Sequence, residues 1–212
     1  MTSAFYAVLI TEAVGVMKDV DGGVTTRLLP YLEAGLASAA NSEQFAGALM
    51  VATQLAARTS MAEPLVEALL EGIAKGTRVP LHSQSLQAML ALCQTQRVKT
   101  LPERAFKHLV KIPELEELVA ELAHTYRADA FTIPFTRSLA EFADVHANYE
   151  RVFRAVVEKV PLRGKHFIAA VPILLKTAKK GDTAAEMVKS LLTHADQHRP
   201  VATSEAVDFV FR

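Results

Sequence analysis

Apolar residues recur three and four positions apart along most of the chain, the period of helices that turn one face inward. Ala4 to Lys18 carries Phe5, Val8, Leu9 and Val16 at that spacing, and Asp19-Val20-Asp21-Gly22-Gly23 breaks the run. The pattern then predicts helices over about Val24–Ser38, Glu43–Ala57, Ala62–Lys75 and Leu81–Gln96. Asn41-Ser42 suits an N-cap, where a short polar side chain accepts from free backbone N–H groups. Pro30 and Pro64 fall in early turns, where a missing N–H costs little. Gly76 reads as a helix stop. After a polar link from Arg97 to Leu101, Pro102 opens a short helix to about Val110, and Pro113 opens another to Tyr126. Glu114, Glu116, Glu117 and Glu121 crowd the early turns of that second helix, where the helix dipole favours negative charge; they could meet a basic partner, but a solvated face is the plainer reading. Ala130–Ala143, Asn148–Val160, Gly164–Lys180 and Thr183–His198 follow, two of them interrupted by Pro134 and Pro172, with a last segment from about Thr203. Strand-like alternation is absent, and Phe131-Thr132-Ile133 reads as a helix start. The expectation is an all-α chain of eleven or twelve helices joined by short loops.

Part of this pattern is written twice. Leu28-Leu29-Pro30-Tyr31-Leu32-Glu33-Ala34-Gly35-Leu36-Ala37 returns as Leu65-Val66-Glu67-Ala68-Leu69-Leu70-Glu71-Gly72-Ile73-Ala74. Gln44, Ala48 and Gln54 return as Gln84, Ala88 and Gln94. A two-helix unit of about 40 residues is the period of a HEAT- or armadillo-like α-α superhelical solenoid. Such repeats offer surfaces to partners rather than a pocket for chemistry. Gly35 and Gly72 sit at the same place in both copies, inside helices, where glycine costs up to about 1 kcal/mol against alanine. A cost paid twice implies a reason held twice: close approach of a neighbouring helix backbone at both.

Composition narrows the picture further. Half of the 212 residues are hydrophobic, but aromatics are 7% and tryptophan is absent, so the core must be built from Ala, Leu and Val in closely packed helices. Lys+Arg and Asp+Glu both number 23, so any contact with nucleic acid has to come from local patches. The single Cys93 lies in an apolar helix and forms no disulfide framework, in keeping with a reducing compartment. No stretch has the length and apolarity of a membrane span, and the start lacks a basic leader. The apolar end at Phe209-Val210-Phe211-Arg212 has no polar cap. The expectation is that residues 1–212 are one continuous helical-repeat array, a piece of a much longer protein.

Several runs together resemble a known family. They are Leu28-Leu29-Pro30-Tyr31 with Gly35-Leu36, the helix from Ala48-Leu49-Met50 to Gln54-Leu55-Ala56, and Leu90-Ala91-Leu92-Cys93-Gln94-Thr95-Gln96. Leu101-Pro102-Glu103-Arg104-Ala105-Phe106-Lys107-His108-Leu109 follows, then Ile112-Pro113-Glu114-Leu115 and Thr125-Tyr126. Their order from about Leu28 to Leu139 is similar to an N-terminal part of the U3 small nucleolar RNA-associated, HEAT-repeat-containing proteins of the small-subunit processome. The resemblance implies a nucleolar, non-enzymatic scaffold in an early subcomplex. Its implied partners are other processome proteins, the 5′ region of pre-rRNA and the U3 snoRNA particle, met directly or indirectly. It further implies support of rRNA transcription and 18S rRNA maturation, and it brings no catalytic residues and no cofactor.

The residues themselves offer two candidate RNA contacts. One cluster is Arg97, Lys99, Arg104, Lys107, His108 and Lys111; the other is Arg163, Lys165 and His166, with Lys176, Lys179 and Lys180 at the far end of the same helix. Cations along one edge of a solenoid release counterions when they meet phosphate. The plainer reading is solvated helix faces and helix ends that suit the dipole, and no interleaved aromatics support base stacking. His194 and His198 have metal-binding spacing but lack a third ligand. Asp144 and His146 lack a partnering nucleophile. No phosphate-binding or dinucleotide fingerprint is present. The function expected is scaffolding without catalysis; the alternative is a HEAT/armadillo adaptor for transport or signalling that binds proteins and no RNA.

Overall fold

The computed structural model describes residues 2–38, 41–142, 147–178 and 182–197. Among these, eleven helices and no strands are found: α1 Thr2–Val16, α2 Gly22–Ala37, α3 Ser42–Arg58, α4 Glu63–Gly76, α5 His82–Gln96, α6 Glu103–Leu109, α7 Leu115–Thr125, α8 Asp129–Glu141, α9 Ala147–Lys159, α10 Gly164–Ala178 and α11 Asp182–Gln197. The segment expected from Thr203 lies outside the described residues. The fold is all-α and of the HEAT/armadillo-like solenoid class. It divides into two compact units, Met1–Ile112 and Pro113–Arg212.

In the first unit α2, α4 and α6 stack in one row, and α1, α3 and α5 in another. The hairpins α2–α3 and α4–α5 tie the rows together, and they are the two copies read from the sequence. Loops of a few residues leave consecutive helices no choice but to fold back on one another. Asn41 caps α3: its Oδ1 accepts from the N–H groups of Glu43 (3.1 Å) and Gln44 (3.2 Å). Asp21 caps α2 through the N–H of Val24. α3 is the hub, touching α1, α2 and α5, and buries Phe45, Gly47, Ala48, Leu49, Val51, Ala52, Leu55 and Ala56. Its small residues are the reason three neighbours can come near at once.

The glycines show how near. A Cβ added at Gly35 would stand 2.6 Å from the Ala48 Cβ and 3.3 Å from the Gln44 carbonyl oxygen, so the α3 backbone does approach there. Gly72 differs from the expectation: its added Cβ would meet only the Leu36 side chain, at 3.1 Å from Cδ1. The backbone contact in the second copy is at Gly76 instead, where a Cβ would fall on the Leu36 carbonyl oxygen and the Phe45 ring. Gly76 is also not a left-handed stop, since no described glycine has positive φ. The left-handed residues are Arg97 (φ 54°), just after α5, and Glu114 (φ 52°), just before α7. With Glu114 in that conformation, α7 opens at Leu115 and not at Pro113.

The link from α3 to α4 is fastened by one side chain. Gln96, the last residue of α5, accepts from the Met61 N–H (2.8 Å) and donates to the carbonyls of Ala56 (2.8 Å) and Thr59 (3.1 Å). Cys93 is buried one turn earlier, and burial pushes its thiol up to about 12.

In the second unit α7, α9 and α11 form one row and α8 and α10 the other. Phe131, Phe135, Phe153, Phe167 and Leu174 fill its core, and the Phe131 and Phe135 rings stack at 5.6 Å. Pro134 and Pro172 do lie inside helices, α8 and α10. The glutamates of α7 are not simply a solvated face. Glu116 is buried and pairs with Arg151 (3.4 Å), and Glu117 pairs with Lys159, so both fasten α7 to α9.

Candidate nucleic-acid and partner interface

The first basic cluster runs from the end of α5 to the end of α6. Arg97, with its left-handed backbone, and Lys99 are both exposed in the link, and neither has an acidic partner among the described residues. Arg104 is 81% exposed and reaches Glu71 of α4 at 3.9 Å. Lys107 pairs with Glu103 one turn back at 2.5 Å. His108 is half-buried, and its pKa is lowered first by burial and then by the charges of Lys111 and Lys75, against a raising effect of Glu71. Lys111 is exposed, with no acidic partner among the described residues. The structure therefore gathers Arg104, His108 and Lys111 of the expected set around the α4 residues Glu71 and Lys75. No described interaction joins Arg97 or Lys99 to that group.

Lys75, and Arg78 just beyond it, escaped the reading of the sequence. Lys75 is in the last turn of α4 and Arg78 in the turn after it, both well before α6 in the sequence. The only available signal was the repeat itself, which makes α4 and α6 neighbours in one row. Ion pairing also weakens two of the expected contacts. At these exposures a pair is worth about 0–1 kcal/mol, so Arg104 and Lys107 remain able to exchange a carboxylate for a phosphate.

The second cluster shrinks. Arg163 and Lys165 are exposed, and Arg163 lies 3.7 Å from Asp129. His166 does not belong to a basic surface: it is 1% exposed. Its Nδ1 accepts from the Arg163 N–H (3.0 Å), which leaves the proton on Nε2 to donate to Thr132 Oγ1 (2.8 Å). Thr132 passes its own proton to the Ala128 carbonyl (3.1 Å). Burial lowers the His166 pKa, so the ring is a neutral, satisfied core group. A histidine beside Arg and Lys in the sequence looked cationic only because helix phase was ignored. Lys176 is exposed in the last turn of α10, where a cation suits the dipole. Lys179 and Lys180 lie outside the described residues, as do Asp144, His146 and His198; His194 falls within α11.

One hydroxyl–imidazole group merits comparison with a nucleophile site. Thr77 Oγ1 meets His82 Nδ1 (3.1 Å) and donates to Ser85 Oγ (2.7 Å), while Ser85 donates to the Leu81 carbonyl (2.8 Å). The imidazole thus reaches Thr77 and not Ser85, and Ser85 is 1% exposed. This network closes the α4–α5 turn. Among the described residues no three metal-ligating side chains stand together, and no helix is long and apolar enough to cross a membrane.

Two rows of stacked hairpins with charged edges define a helical-repeat protein of the HEAT/armadillo-like kind. A family model described as U3 small nucleolar RNA-associated protein 10 matches residues 24–139, and the chain belongs to that family. The human HEAT repeat-containing protein 1 is 30% identical over 125 residues, covering 58% of this chain and 6% of the human protein. An uncharacterized Arabidopsis thaliana protein is 26% identical over 96% of this chain and 10% of its own length. The U3 small nucleolar RNA-associated protein 10 of Aspergillus oryzae is 22% identical over 98% of this chain and 12% of its own. The chain thus spans roughly a tenth of the length of the curated relatives it matches.

Proposed function

We propose that this chain is one stretch of helical repeats in a nucleolar, non-enzymatic scaffold of ribosome biogenesis, working in the small-subunit processome. The observation that carries this is membership of the U3 small nucleolar RNA-associated family across residues 24–139. The two-row packing supports it, because it leaves long helix faces for partners. In this role the chain supports pre-rRNA transcription and 18S rRNA maturation by adhesion: many weak contacts to processome proteins and to RNA. Arg97, Lys99 and Lys111 are its best RNA contacts, since they have no acidic partner among the described residues. Arg104, Lys107, Arg163 and Lys165 are secondary.

The test is to tag the full-length protein in its own cells, purify it in mild salt, and identify what accompanies it. The expected result is U3 snoRNA, the 5′ region of pre-rRNA and other processome proteins. Ultraviolet crosslinks should then fall within 97–111. Recovery of transport or signalling factors without RNA would replace this reading by that of an adaptor.

A further inference from the structure

A groove of about 680 Å³ runs between α2 and α4 in the first unit. Its floor is apolar and already buried: Leu32, Leu36 and Leu69. Leu29 and Leu65 form half-buried lips, and Ala68 and Gly72 keep one wall low. These residues follow helical spacing on both sides, so the groove lies along the helices. From Leu65 to Lys75 it extends for roughly 15 Å at the 1.5 Å rise of a helix, about three turns. The size falls within the range of sites that enclose a ligand, but its shape is a trench, which suits a helix laid into it.

Charge at the rim is ordered. One end carries Lys75 and Arg78, with Lys111 close enough, together with Lys75, to depress the His108 pKa. About one turn back stand Glu33 on α2 and Glu71 on α4, and Glu71 is engaged by Arg104. The register follows from Leu36, which lies beside both Gly72 and Gly76.

We propose that this groove docks one amphipathic helix of a partner protein, about three turns long. Its Leu-type residues, spaced i, i+3 or i+4, and i+7, lie between the half-buried Leu29 and Leu65 and over Ala68 and Gly72, above the buried Leu32, Leu36 and Leu69. An acidic residue near its C-terminus meets Lys75 and Arg78, the end where the partner's own helix dipole is negative. A basic residue one turn earlier faces Glu33. The proposal deepens the scaffold reading, which supplies the reason for a partner; the chemistry of the groove supplies its kind.

The experiment uses the full-length protein in its own cells with Ala68→p-benzoylphenylalanine. The same replacement at Glu67, exposed on α4 but outside the groove, is the control. After irradiation, crosslinked peptides are mapped by mass spectrometry. The expected outcome is an adduct at 68 at least tenfold above that at 67. It should map to a peptide with the stated apolar spacing and an acidic end, and Lys75→Glu with Arg78→Glu should reduce it at least fivefold. The proposal is overturned by no excess over position 67, by adducts to RNA alone, by a peptide lacking that pattern, or by indifference to the charge reversal. A patterned peptide from a protein outside the processome would support the groove and remove the processome reading, so the two failures are distinguishable.

Discussion

The two units hold their helices together by different means. In the first, backbones approach through missing side chains: Gly35 lies against Ala48, Gly47 against Ala7 and Tyr31, and Gly76 against the Leu36 carbonyl and Phe45. In the second, the core is aromatic, built on Phe131, Phe135, Phe153 and Phe167, and polar groups reach across to buried partners: His166 to Thr132 and Arg151 to Glu116. Small-residue contacts are short-ranged and respond to a single added methyl. Polar bridges respond to removal of a partner and, for histidine, to pH. The comparison therefore predicts where each unit breaks.

The largest effect belongs to Gly76→Ala. Its methyl has backbone on one side and a buried ring on the other, and overpacking of this kind costs about 1–3 kcal/mol. Gly35→Ala should follow at about 1–2 kcal/mol. Gly72→Ala should be within about 0.5 kcal/mol of wild type, because the Leu36 side chain can turn aside and alanine gains helix propensity. Denaturant melts of the three variants check this order. Equal losses at Gly35 and Gly72 would restore the repeat equivalence that the structure removes.

In the second unit, His166→Ala leaves the Arg163 N–H and Thr132 without their partner and should cost about 1–3 kcal/mol. The pH dependence has a definite sign. The folded-state pKa lies below the usual 6.5, so the unfolded chain binds the proton more readily. The stability His166 contributes is complete above about pH 6.5 and falls as the pH drops toward the lowered folded value. Melting curves from pH 7.5 to 5 should show a shallower loss in the variant than in wild type; parallel curves would contradict the neutral, buried ring.

Gln96→Ala removes three hydrogen bonds from the α3–α4 link and should cost about 1–2 kcal/mol. Amide exchange should rise first at Met61. Lys159→Ala, at an exposed pair, should leave the melting temperature unchanged.

How much of this was legible beforehand depended on whether the signal was local. Asn41, Pro102 and the doubled Leu-rich segment act on their own turn or repeat, so caps, helix order and the hairpin pairs could be read directly. Gly76 could not, since a glycine at a helix end looks the same whether it stops the helix or admits a neighbour. His166 and Glu116 were misjudged because exposure depends on what packs beside a helix face, and α8 and α9 are not adjacent to those faces in sequence. Gln96 reaches residues 35 to 40 positions earlier, beyond any motif. The basic edge was half legible: Arg104, His108 and Lys111 were named, while Lys75 joins them only through the stacking of α4 on α6.

The central claim is that this segment holds partners of a ribosome-assembly particle. The most direct test compares U3 snoRNA recovered with the tagged full-length protein and with the same protein lacking residues 1–112, at matched cellular levels. The account predicts a loss of about tenfold or more, equivalent to roughly 1.4 kcal/mol of binding. Unchanged recovery would contradict it.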